Sequence, residues 1–128
     1  MAGLPNHFHR EQTTLRQAGV DNWEQLARLS RQHLRDLAGS GQASEARLLR
    51  LRAQARLMVA AGLPPEEASL LLHAGIADAQ ALATAHPEQL LPRVNRLRRG
   101  LLGAQAAPIP LATVRRWIAF AAASRSAN

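Results

Sequence analysis

The sequence predicts an all-α fold built from two tandem copies of one unit, a short helix, a glycine turn and a second helix, joined by longer helices. Three observations predict it. Hydrophobic residues make up 47% of the chain but aromatics only 3%, with no Tyr, so the core must be built from Leu, Ala, Val and Ile. Ala, Leu, Arg and Gln are strong helix formers, and no alternating β-branched run of strand type occurs. Finally, the chain repeats itself. A shift of 56 positions, from Gly19 to Gly75, pairs Glu11 with Glu67, Leu15 with Leu71, Ala18 with Ala74 and Val20 with Ile76. The same shift pairs Leu26 with Leu82, Ala27 with Ala83 and Leu34 with Leu90. These are core and turn positions, where one recurring supersecondary unit needs matching residues.

The elements follow in order. Pro5 and Asn6 open a helix over about 7–18, which Gly19 ends, because glycine takes positive φ at little cost. Asp21 or Asn22 caps a second helix through Leu29, with Trp23, Leu26 and Leu29 on one face. Ser30 caps a third, carrying Leu34 and Leu37, and Gly39-Ser40-Gly41 is a linker. Ser44 starts a long helix to Ala61, whose buried face is read as Leu48, Leu51, Ala55, Met58 and Val59. Pro65 stands at a first helical position, with Glu66 and Glu67 placed to suit the helix dipole. That helix runs to His73, and Ala74-Gly75-Ile76 turns the chain. Asp78 caps the next helix, through about Ala85, and His86-Pro87-Glu88 starts another. Pro92 is expected to break or kink it, since Leu91 is biased away from helical angles. Arg93 to Arg99 continues as a basic helix, and Gly100, Gly103 and Pro108 mark a second linker. Pro110 opens a final helix with Val114, Trp117, Ile118 and Ala121 as its apolar stripe, fraying from Ser124 to Asn128. The organisation read from this is a first unit over 1–43, a long helix over 44–61, a second unit over 62–99, and a linker and C-terminal helix over 100–128. All four pack into one compact domain around one shared core.

Composition narrows the function classes. There is no cysteine, which excludes disulfides, thiolate metal sites and cysteine nucleophiles. The start of the chain lacks a secretory pattern and no apolar run reaches the length of a membrane span, so a cytoplasmic protein with no membrane partner is expected. Net charge is +7, and every basic side chain apart from histidine is Arg, whose planar fork suits phosphate. The charge is unevenly placed. Residues 64–92 carry four acids and no Arg, whereas residues 93–128 carry seven Arg and no acid.

Leu72-His73-Ala74-Gly75-Ile76, then Leu82-Ala83, then His86-Pro87-Glu88-Gln89-Leu90 form one signature. Val114-Arg115-Arg116-Trp117-Ile118, with Ala121 following, forms a second. Together they resemble a bacterial family of tandem helix-hairpin-helix (SAM-like) domains of unknown function, over most of the chain. His86 stands where that family usually has Asp. The hairpin is also similar to parts of the RNA polymerase alpha C-terminal domain and of DNA-repair modules. The resemblance implies DNA binding without sequence preference, and no catalytic residues.

A helix-hairpin-helix grips phosphate with backbone N–H groups of a Gly-hydrophobic-Gly turn. Gly62-Leu63-Pro64-Pro65 keeps the first Gly and the hydrophobic residue but puts proline, which has no N–H, at the next two positions. Asn6-His7-Phe8, the counterpart in the first unit, has no Gly. Gly62, Leu63 and Gly75 are therefore read as a folding device. Phosphate binding is expected instead from Arg47, Arg50, Arg52, Arg56, Arg93, Arg96, Arg98, Arg99, Arg115 and Arg116. On a helix, Arg47, Arg50, Arg52 and Arg56 project near about 0°, 300°, 140° and 180°, so they are not one stripe. Base stacking is a poor mechanism with so few aromatics.

No metal or cofactor site is read. His7 and His9 would point apart on a helix with no further ligands beside them. No partnered nucleophile and no phosphate-loop or dinucleotide fingerprint is present. The expected function is a non-enzymatic module binding nucleic acid, chiefly DNA, through phosphate contacts. The alternative is a protein-interaction or scaffold module, binding an acidic protein or docking by charge complementarity between segments 64–92 and 93–116.

Overall fold

The computed structural model describes residues 1, 4, 8–39 and 41–126, with backbone alone for the last two. Pro5, Asn6 and His7, expected at the first helix start, lie outside the described residues, as do Ser40 of the first linker and the final two residues. Eight helices and no strand occur among the described residues: α1 (His9–Gln17), α2 (Trp23–Ala27), α3 (Arg31–Ala38), α4 (Glu45–Ala61), α5 (Pro65–His73), α6 (Ala79–Ala83), α7 (Pro87–Leu102) and α8 (Leu111–Ser126). The fold is all-α.

The internal repeat extends to the helix bounds. The shift of 56 carries α1 onto α5 and α2 onto α6, residue for residue, and the start of α3 onto the start of α7. The turns match bond for bond. Val20 N–H donates to the Leu15 carbonyl at 2.8 Å, and Ile76 N–H to the Leu71 carbonyl at 3.0 Å. The intervening glycines have φ of 84° (Gly19) and 93° (Gly75), a left-handed conformation costly for residues with a Cβ. Asn22 and Asp78 then cap α2 and α6, each accepting a backbone N–H at 2.8 Å, from Gln25 and Ala81. A larger shift of 66 carries Leu48, Leu51 and Ala55 of α4 onto Val114, Trp117 and Ala121 of α8, all buried. The extra ten positions lengthen α7 and form the connection 103–110. That connection is clasped by Asn95, whose Oδ1 accepts from Ile109 N–H at 2.8 Å while its Nδ2 donates to the Ile109 carbonyl at 3.1 Å.

The expected single core is divided. One buried cluster joins Phe8, Leu15, Val20, Leu26, Leu34, Ala43, Leu48, Leu51 and Ala55. The other runs from Leu57, Ala61 and Leu63 through Leu71, Leu82 and Val94 to Val114, Trp117 and Ala121. α4 packs against α2 and α3, and also against α5, α6 and α8, so it belongs to both units. Its apolar face turns as it passes between them. At 100° per residue, Leu48, Leu51 and Ala55 centre about 120° away from Gln54, Leu57 and Ala61. Val59 was expected inside, but it lies off the second face and is 53% exposed. Gln54 is buried in its stead and donates from Nε2 to the Pro65 carbonyl at 2.8 Å, fastening α4 to α5.

Neither Pro92 nor Gly100 ends α7, which runs through both as one helix. Proline at this position removes a single bond, to the carbonyl of Glu88 in the exposed first turn, while buried Leu90 and Val94 on either side hold the helix on the core. Ser124 was expected in a frayed end, yet its hydroxyl donates to the Ala60 carbonyl at 2.9 Å and ties α8 to the end of α4.

Candidate functional site

Of the ten arginines that the sequence singles out, the fold engages six. Arg52 Nη1 donates to the Leu29 carbonyl at 3.0 Å, and Arg56 Nε to the Ala27 carbonyl at 3.0 Å. Both satisfy carbonyls left without intrahelical partners at the end of α2. Partial burial holds the Arg52 guanidinium below the ordinary arginine range, with Arg56 and Arg31 adding repulsion. Arg93 serves α5 in the same way, donating from Nη1 to the Ala74 carbonyl at 3.1 Å. Arg98 Nε donates to the Ala107 carbonyl at 2.8 Å and holds the 103–110 connection. Arg115 pairs with Glu88 at 3.3 Å across an exposed gap. Arg47 pairs with Glu11 at 3.8 Å and lies 5.8 Å from the centre of the Phe8 ring.

Arg50, Arg96, Arg99 and Arg116 are exposed and make no hydrogen bond or ion pair to a carboxylate or carbonyl among the described residues. Arg96 and Arg99 stand three apart on α7, on neighbouring parts of one face. Arg50 projects from α4 to His73 at the end of α5, with Nη2 3.3 Å from both ring nitrogens. An in-plane approach equidistant from both nitrogens would drive Nη2 into Cε1, so the guanidinium lies over the imidazole face. His73 Nδ1 is 2.8 Å from the Ser69 carbonyl, which assigns it a proton, because a carbonyl can only accept. Beside this ring, His73, Ala74, Arg93, Arg96 and Leu97 line an open recess of about 350 Å³. The structure thus joins Arg50, Arg93 and Arg96 around His73, a residue the sequence left isolated.

Gly62, Leu63 and Gly75 have no amide to offer a ligand. The N–H groups of Gly62 and Leu63 both point to the Met58 carbonyl, and Gly75 N–H bonds the Leu72 carbonyl. Pro64 and Pro65 follow Leu63, and Glu66 and Glu67 occupy the first turn of α5. Leu63 is buried in the second core.

Two carboxylates at equivalent places behave differently. Glu11 is 2% exposed, and its Oε2 accepts the Ser44 N–H at 3.1 Å. Its recurrence as Glu67 was the available sequence signal for this buried role. Glu67 is only partly buried, and burial pushes its carboxyl above the ordinary range, against the pull of Arg98 and Arg116. A raised carboxyl pKa means the folded state holds that proton more tightly than the unfolded one. The stability this contributes is present below the ordinary carboxyl pKa of 4.5 and is lost as pH rises through the folded value. Glu67→Gln is therefore expected to raise the melting temperature at pH 7 more than at pH 3.5. Thermal unfolding of both proteins at the two pH values checks it, and an equal shift at both would contradict the assignment.

Among the described residues no group of three His, Cys, Asp or Glu is placed to hold a metal ion, and no helix is long and apolar enough to cross a membrane. His7 lies outside the described residues, and His9 is exposed. Comparison with curated proteins and with solved structures yields no match. Residues 5–124 do match a family described as a domain of unknown function (DUF4332), which spans nearly the whole chain. The chain belongs to the DUF4332 domain family.

Proposed function

We propose that the two units are helix-hairpin-helix-like modules and that the chain binds nucleic acid, DNA foremost, without reading its sequence and without catalysis. Supporting the first part, each unit places two short helices around a Gly turn of the same bonding pattern. The observation that carries the second part is that Arg50, Arg96, Arg99 and Arg116 remain exposed after folding has engaged the other six of the ten arginines singled out. Three of the four lie beyond Glu88, the last acidic residue in the chain. Phosphate oxygens are the partners such forks suit best, and counterion release drives the association. In this reading the protein works in the cytoplasm, where its polyanionic partner is present. A labelled duplex titrated with protein at low and at moderate salt tests the reading, and no binding at low salt would sink it.

A second reading, a protein-interaction module, is favoured by an apolar feature on another face. Val59 (53% exposed) and Phe120 (50% exposed) are uncovered, and Phe120 lies beside Gly62. A cavity of about 450 Å³ lined by Asn22, Trp23, Glu24, Met58, Val59, Gly62 and Leu63 adjoins them. Exposed apolar surface of this kind marks docking sites on many proteins. The acidic stretch 64–92 and basic stretch 93–116 would then orient the partner by charge.

A further inference from the structure

Resting on the nucleic-acid reading, we infer that one backbone phosphodiester is received in the recess that α5 and α7 line beside His73, with Arg50 of α4 against the His73 ring. Arg50 comes from α4, the helix shared by both cores, while Arg93 and Arg96 come from α7 in the second unit. His73 ends α5 and lines the recess with Arg93 and Arg96, and Arg50 Nη2 lies against its ring. A helix C-terminus ordinarily repels an anion, because its last carbonyls are unpaired. Here Arg93 covers the Ala74 carbonyl at 3.1 Å. That contact uses one of its five N–H donors and fixes the guanidinium at the rim of the recess. Arg96 lines the same recess and makes no hydrogen bond or ion pair to a carboxylate or carbonyl among the described residues.

The chemistry of the lining selects the ligand. The side chains offer donors almost throughout, the single ring acceptor being Nε2 of His73, and the nearby carbonyl is already taken. A peptide must place its own N–H groups and finds few acceptors. A phosphodiester presents acceptors alone and matches the guanidinium forks. Leu97 supplies an apolar wall against which a sugar can rest.

The test is the affinity of the full chain for a labelled DNA duplex at about 50 mM salt, for the wild type, Arg50→Gln, Arg96→Gln and Arg28→Gln. Arg28 is exposed in the first unit and gives a control that removes the same charge elsewhere. Arg50→Gln and Arg96→Gln are each expected to weaken binding by about tenfold or more. Each should also reduce the slope of log affinity against log salt by about 1. Arg28→Gln should stay within about twofold of wild type, the limit of a purely distant charge effect. Circular dichroism verifies that all four fold. Equal losses in all three variants would overturn the recess while leaving nucleic-acid binding intact, as would full affinity in Arg50→Gln and Arg96→Gln. Absence of wild-type binding would overturn both readings. A poly-glutamate peptide that binds better than duplex, and is lost in the same two variants, would overturn the phosphate assignment.

Discussion

Trp117→Ala is expected to remove about 3–5 kcal/mol of stability, a large share of the roughly 5–15 kcal/mol a domain possesses. Trp117 is 2% exposed on α8, packed in the second core with Val114 and Ala121. No aliphatic neighbour can swing in to fill the space of an indole without leaving its own rotamer. Leu51, its counterpart on α4, is fully buried in the first core, and Leu51→Ala is expected to cost about 2–5 kcal/mol. The Trp117 variant offers a further readout, because Trp23 in the first unit is then the only tryptophan left. α4 runs through both clusters. Loss of order in the second unit should therefore release the first. Trp23 fluorescence and far-UV circular dichroism are expected to report one midpoint. A Trp23 midpoint clearly above the helical one would show that the units unfold separately.

Glu11→Ala is the second large effect, about 1–3 kcal/mol. The carboxylate accepts the Ser44 N–H, one of the donors at the start of α4 that no helical carbonyl reaches. Alanine takes the acceptor from that part-buried amide and opens a gap beneath α1. Its lost ion pair with exposed Arg47 matters less, since such pairs are worth little. Glu11→Gln keeps an acceptor at the same place and should recover most of the loss, measured by denaturant unfolding of both variants. Equal destabilisation would assign the effect to charge instead. The repeat explains why Glu67 behaves otherwise. The counterpart of Ser44, at the shift of 66, is Pro110, which has no N–H to donate. The same carboxylate is kept in the second unit but loses the donor that stabilises it in the first.

Much of the helix layout was legible because local chemistry sets it. Ser30, Ser44 and Asp78 are caps in sequence and in structure, and of the two candidates Asp21 and Asn22 the structure uses Asn22; each accepts from a backbone N–H three residues on. The glycine turns and the repeat follow from the same local signals. The division of the core was not legible, because helical spacing says that α4 has an apolar face but not that two units claim different faces of it. Val59 was misplaced for that reason. The arginines were harder still. Charge identifies Arg52 and Arg56 as basic, but the carbonyls of Ala27 and Leu29 that engage them lie more than twenty residues earlier. His73 gained its meaning only when folding set Arg50 against its ring and Arg93 and Arg96 beside it.

The most direct test of the account is the salt dependence of duplex binding by the wild-type chain. Arg50, Arg96, Arg99 and Arg116, which meet no carboxylate or carbonyl among the described residues, joined by Arg93 at the recess, predict contacts to about three or four phosphates. Log affinity should then fall linearly with log salt, with a slope of about −3, and should not change when the duplex sequence is scrambled. Absence of binding at low salt, or an affinity indifferent to salt, would contradict it.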